Sequence, residues 1–151
     1  MFKNMLNKTD SSLITALNEN GRASQRELAS STKVALGTVS NHLKKLETEN
    51  IIRGYLPDVD PEKVGFTLTA VMHVRISKGR IMEVQSSIAE HPRVFGVYDV
   101  TGEWDSMVLA RFTNREEMDS FIKTTLSQEN IERTNTSLVL NTVKEESRII
   151  L

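Results

Sequence analysis

The 151-residue sequence has no cysteine, one tryptophan, three prolines and three histidines. Without a thiol there is no disulfide scaffold, no thiolate metal site and no cysteine nucleophile, a composition that suits a reducing interior. His42, His73 and His91 are far apart in sequence and match no metal-ligand spacing, which argues against a zinc site. No apolar run approaches the roughly 20 residues of a membrane span, and the opening MFKNMLNKTD lacks the apolar core of a signal peptide. A cytoplasmic protein without a membrane partner is expected. Charge of one sign is lacking too. Nineteen Lys plus Arg oppose twenty Asp plus Glu, so the global basicity that alone announces nucleic-acid binding is missing. The asymmetry along the chain is slight: residues 1–63 carry nine basic and eight acidic side chains, the remainder ten and twelve.

What is present is helical periodicity in the first third. KTDSSLITALNENG places Leu13, Ile14 and Leu17 at helical spacing, with Thr9 or Asp10 as cap and Gly21 just past the end. In SQRELASS, Ser24 followed by Glu27 makes a capping box for a second, short helix. In ALGTVSNHLKKLETENIIRGY, Val39, Leu43 and Leu46 form one apolar stripe. Gly37, Asn41, Lys44, Lys45 and Thr48 fall opposite it, with Thr38 and Ser40 on the flanks. This third helix is expected to end near Asn50, and IIRGYLPD then reads as a short extended ribbon turning at Gly54 and Pro57.

Three short helices and a ribbon are the plan of a winged helix-turn-helix, whose third helix enters the major groove of double-stranded DNA. Thr38, Ser40 and Asn41 are then placed to bond base edges, and Lys44, Lys45 and Arg53 to meet phosphates. The alternative is a solvated polar face on a small helical bundle.

The second half changes period. FTLTAVMHVRIS alternates, with Leu68, Ala70, Met72, Val74 and Ile76 on one face. KGRIMEVQSSIAEHP carries Ile81, Val84 and Ile88 at helical spacing, and RVFGVYDV and DSMVLARF read as strands joined at TGEW. A capping signature at Asn114 and Glu117 opens a helix burying Met118, Phe121, Ile122 and Leu126. A last strand should place Thr134, Thr136, Leu138 and Leu140 on one face, with an extra edge strand at Arg148–Leu151. The order βαββαβ is the ferredoxin-like split motif, so the fold class is α+β. Val71, Phe95, Val97, Met107, Leu109, Val139 and Val143 leave apolar groups for the second sheet face, and pairing of two sheets in a homodimer would cover it. The expected domains are 1–50, a wing and linker at 51–64, and 65–151.

TGEWDSMV, residues 101–108, sets the only tryptophan between Glu103 and Asp105. Catalysis would need two carboxylates fixed about a scissile bond in contrasting environments, which neighbours on a hairpin tip do not provide. No nucleophile, metal triad or phosphate loop supports it, so the protein is not expected to be an enzyme or to need a cofactor. Two readings remain. In one, Gly102 permits a tight turn, the acids keep it soluble and Trp104 packs on a neighbouring subunit. In the other, N–H groups beside Gly102 receive a carboxylate, Glu103 and Trp104 border the pocket, and Asp105 accepts from an ammonium group. Thr134 and Thr136 add hydroxyls and Tyr98 lines the site, with a free amino acid as ligand.

TDSSLITALNENGRASQRELA and TVSNHLKKLETENIIRGYLPDVDPEKVG together resemble the N-terminal domain of the Lrp/AsnC, or feast/famine, transcriptional regulators. The element order of the second half, with VYDVTGEWD and ERTNTSLVL, is similar to that family's effector-binding RAM domain. At the start of the third helix Ala35, Leu36 and Gly37 stand where the family usually has a Ser-Pro-Ser type cap. The resemblance implies a DNA-binding regulator with an amino-acid effector bound near the glycine hairpin, a linker at 52–58 that pairs across the dimer, and even-numbered assemblies such as octamers. A ligand-independent architectural DNA binder and a stand-alone small-molecule-binding module are the alternatives.

Overall fold

A computed structural model describes residues 6–151. The chain divides into a helical unit that runs up to Asp58 and takes in Glu145–Leu151, and a sheet unit, Val59–Lys144. This differs from the expected division at 50 and 64, and it also moves the last seven residues. Arg148–Leu151 form no edge strand; Asn18 Nδ2 in the first helix instead donates to the Ile149 carbonyl at 2.9 Å.

The helical unit contains α1 (Lys8–Glu19), α2 (Gln25–Thr32) and α3 (Leu36–Thr48). The cap of α1 is Asn7, ahead of Thr9 and Asp10: Asn7 Oδ1 accepts from the Asp10 N–H at 2.9 Å, and the Asp10 carboxylate accepts from the Asn7 N–H at 3.0 Å. Ser24 and Glu27 make the expected box on α2. Ala35 supplies no side-chain bond to α3, and that helix stops at Thr48, with Asn50 at φ 55° beyond it. Leu13, Leu28, Val39 and Leu43 make one buried cluster, backed by Leu17 and Ile52, and Leu46 is also buried. Each such side chain contributes about 1.5–3 kcal/mol on burial, so the 39/43/46 stripe fixes which side of α3 faces outward.

The expected ribbon at IIRGYLPD is not a strand within the chain; a strand needs a hydrogen-bonded partner, and none of the described residues provides one. The segment is held instead by the Tyr55 hydroxyl, which donates to Glu47 Oε1 of α3 at 2.9 Å. Burial, and then the bond to Glu47, push the phenol up to about 12.

In the sheet unit a 3₁₀ turn (Glu62–Val64) precedes β1 (Leu68–Ile76), α4 (Ile81–Ala89), β2 (Val94–Asp99), β3 (Ser106–Phe112), α5 (Arg115–Thr124) and β4 (Ile131–Leu138). The four strands are antiparallel in the order β2-β3-β1-β4. Ala70, Met72 and Val74 of β1, with Val108, Ala110 and Phe112 of β3, pack against Val84 and Ile88 of α4 and Met118 and Phe121 of α5. Both helices therefore lie on one face.

Directly opposed residues in an antiparallel pair share a face, which makes the register decisive. A bulge between Val94 and Gly96 puts Val97 opposite Val108 and into the helix-side core, not on the second face where it was expected. That second face keeps Val71, Met107 and Leu109, half-buried, and Phe95, over whose ring the Arg111 guanidinium sits at 3.8 Å. β4 ends at Leu138, so Leu140 and Val143 lie beyond the strand and are exposed.

At the start of α5 only half of the expected box forms. Asn114 Oδ1 accepts from the Glu117 N–H at 2.8 Å, while the Glu117 carboxylate turns to the N–H and hydroxyl of Thr113, both at 2.8 Å, and to Arg93. The Thr113 N–H, then the Arg93 guanidinium, hold this carboxyl down to about 2.

Candidate functional site

The outward face of α3 carries Thr38, Ser40, Asn41 and Lys44, all exposed, above the packed stripe, and Arg53 is exposed five residues past the helix end. Lys45 is different. Its Nζ lies 3.2 Å from Asp10 Oδ2, and His42 Nδ1 lies 2.6 Å from Asp10 Oδ1. Asp10 is fully buried, so two side chains of α3 are tied to one carboxylate of α1. Burial raises this carboxyl, but the bonds from His42, the Asn7 N–H and Lys45 outweigh it and leave it below its ordinary value. Lys45, expected to meet phosphates, also ties α3 to α1, since a removed ammonium would leave a buried acid short of a partner.

The second site lies where β1 and β4 run side by side. Arg75 of β1 is directly opposite Arg133 of β4. Like charges in that position repel, and the β2–β3 hairpin supplies the acids that relieve them. Glu103 pairs with Arg133, and its carbonyl accepts from Arg75 Nη1. Asp105 Oδ2 accepts from the Ile76 N–H at 2.8 Å and lies 3.6 Å from Arg75 Nε, while the Asp105 N–H donates to the Val74 carbonyl at 3.0 Å. Trp104 lies between the two acids, with Arg133 over its ring at 4.5 Å and the His73 ring 5.8 Å away. Gly102 turns the tip at φ 115°, a region that side-chain-bearing residues rarely adopt.

These groups border an open trough of about 610 Å³ lined by Arg75, Gly102, Glu103, Glu132 and Arg133. A second hollow of about 490 Å³ shares Glu103 and Arg133 with it and adds His73, Trp104, Thr134 and Asn135. The structure thus brings Gly102, Glu103, Trp104 and Thr134 together. Three other expected residues sit differently. Asp105, expected as the ammonium acceptor, is bonded to the β1 backbone and lines neither hollow; the exposed carboxylates at the trough are Glu103 and Glu132. Thr134 opposes Val74 and Thr136 opposes Met72, so both belong to the helix-side face; Thr134 still borders the hollow while Thr136 does not, and Tyr98 folds over Gly96 on β2 outside both linings.

Arg75, Arg133 and Glu132 were not anticipated. Their meeting depends on the β1–β4 register, whose only trace in the sequence is the acid pair in TGEWD. In the Asp10–His42–Lys45 cluster only the spacing of 42 and 45, one helical turn apart, is visible in the sequence. Among the described residues no group of three or more His, Asp or Glu is arranged to hold a metal ion, and no helix is long and apolar enough to cross a membrane.

Residues 69–149 match the family model of the Lrp/AsnC ligand binding domain, and residues 6–53 match that of a winged helix-turn-helix DNA-binding unit. An HTH-type transcriptional regulator of Pyrococcus abyssi is 43% identical over 145 residues, covering 96% of this chain and 99% of that one. The HTH-type transcriptional regulator FL11 of Pyrococcus horikoshii is 32% identical, with 95% of each chain covered. Among solved structures, a transcriptional regulator of Neisseria meningitidis in complex with L-Met superposes with a TM-score of 0.88 at 30% identity, covering 96% of both chains. Escherichia coli AsnC, at 19% identity, has the same fold, with a TM-score of 0.87 over 95% of this chain and 97% of its own.

Proposed function

Since the chain belongs to the Lrp/AsnC family of transcriptional regulators, which are not enzymes, we propose that it reads a specific DNA sequence and that a free amino acid adjusts its DNA affinity or its assembly. The observation that carries the DNA half is the exposed row of Thr38, Ser40, Asn41 and Lys44 on a helix whose other side is fixed by Val39, Leu43 and Leu46. Short polar side chains reach base edges and Lys44 and Arg53 meet phosphates, the division of work found when a helix lies in the major groove.

The effector half is supported by the trough beside Gly102, which offers guanidinium groups for a carboxylate and the Glu103 carboxylate for an ammonium group. The regulator of Neisseria meningitidis, in its complex with L-Met, has the same architecture. Two chains pair through the open sheet face, and linker residues 52–58 pair across the dimer. Ligand bound at the trough shifts the subunits and so alters the spacing of two recognition helices, which must meet major grooves about 34 Å apart.

Fluorescence anisotropy with fragments of the protein's own promoter region at low salt tests the first half, and a thermal-shift screen of the twenty amino acids tests the second. Sequence-selective binding with a stabilising amino acid is the expected result. Selective binding with no shift from any amino acid would leave a ligand-independent architectural protein, and no DNA binding would overturn the reading.

A further inference from the structure

We infer that Arg133 is the specificity-determining residue of the trough, and that it restricts the effector to amino acids with an uncharged side chain by exchanging its Glu103 partner for the ligand's carboxylate. This rests on the amino-acid reading above and makes it more definite. The two hollows meet at the Arg133–Glu103 pair, which is the only pair of side chains common to both linings. Both members are well exposed, so the pair is weak and open to competition. A carboxylate bonds to a guanidinium through two parallel N–H donors, and an incoming zwitterion supplies a replacement at both ends: its carboxylate takes Arg133 and its ammonium takes Glu103. Two arginines and two glutamates line the larger trough, so a ligand of zero net charge leaves their balance intact.

The side chain of such a ligand enters the hollow bordered by His73 and Trp104. An indole face ordinarily attracts a cation. Arg133 lies 4.5 Å from the ring centre and stays beside the indole when it turns to the ligand's carboxylate, so a lysine or arginine side chain meets a like charge where it would otherwise find its best contact. An apolar or thioether chain has the indole edge and the His73 ring to pack on. Trp104, the only tryptophan, adjoins the guanidinium that changes partner, so its emission reports the exchange directly.

The test is titration of the full-length protein with L-methionine, L-lysine and L-glutamate, followed by tryptophan emission and by calorimetry. The wild type is expected to bind methionine with a change in emission and to bind lysine and glutamate at least roughly tenfold more weakly. Arg133→Gln should lose roughly tenfold or more in methionine affinity, the loss expected for one charge-assisted contact. Arg133→Lys, which keeps the charge without the fork, should recover part of it, and the melting temperature of each variant separates binding from folding. Equal affinity for methionine and lysine, or an Arg133→Gln protein that melts normally and binds methionine like the wild type, overturns the inference while leaving the amino-acid reading intact. Failure of all twenty amino acids to bind the wild type overturns both.

Discussion

Lys44 and Lys45 are neighbours on α3 with different surroundings. Lys44 is exposed on the outward face, whereas Lys45 is held at 3.2 Å by the buried Asp10. Replacing Lys44 by Gln should weaken binding to all DNA sequences and reduce the slope of log K against log salt by about 1. Replacing Asn41 by Ala should change sequence preference with little effect on that slope. Lys45→Gln should do less to the slope than Lys44→Gln and more to the melting temperature. Asp10→Ala is the stronger test of the tether: it strips a fully buried acceptor from His42, Lys45 and the Asn7 N–H, and should cost about 1–3 kcal/mol in urea unfolding at neutral pH. A neutral result for Asp10→Ala would sink the tether.

Among the elements, α5 and the β2–β3 hairpin depend most on single side chains. Glu117 has its carboxyl held down to about 2, against an ordinary value of 4.5, by Thr113 and then Arg93. A lowered folded-state value means stability that is complete above about pH 4.5 and is lost as pH falls toward 2. Urea unfolding of the wild type and Glu117→Gln should therefore differ at pH 7, with the gap narrowing steadily as pH falls from about 4.5 toward 2; a gap that does not narrow in acid would show that the carboxylate charge is not responsible. In the hairpin, Gly102 stands at φ 115° with open space where a Cβ would lie. Space is no obstacle there, but the backbone angle is. Gly102→Ala should cost about 1–3 kcal/mol of local strain, and its effect on the trough should appear as a changed Trp104 emission.

At the scale of the molecule, Val71, Met107 and Leu109 on the second sheet face are only half-buried, and Phe95 is exposed. Pairing of two chains there should be abolished or weakened by Leu109→Lys, read as a shift to smaller species in sizing by light scattering; unchanged mass would place the dimer contact elsewhere. The same variant should weaken binding to a two-site operator more than to a single half-site, because only the paired protein offers two recognition helices.

Among the described residues periodicity was enough to place the five α-helices and the four strands, because periods of 3.6 and 2 follow from which side chains must leave water, and the capping box at Ser24 was written locally; it also suggested a ribbon and an edge strand that do not form. The third helix showed its inner and outer faces for the same reason. What escaped was set by contacts distant in sequence. Lys45 looked like its neighbour until Asp10, 35 residues away, was seen beneath it. Nothing near Asp105 in the sequence announces that its carboxylate accepts from the N–H of Ile76, 29 residues away. Val97 changed sides because a bulge, which no local pattern reports, decides where an alternating chain points. The amino-acid order by itself determined the elements and their buried faces, since these follow from short-range spacing. Only the tertiary structure decided that Arg75 and Arg133 stand opposite each other and that Glu103 answers them, because electrostatic partners are chosen by distance in space.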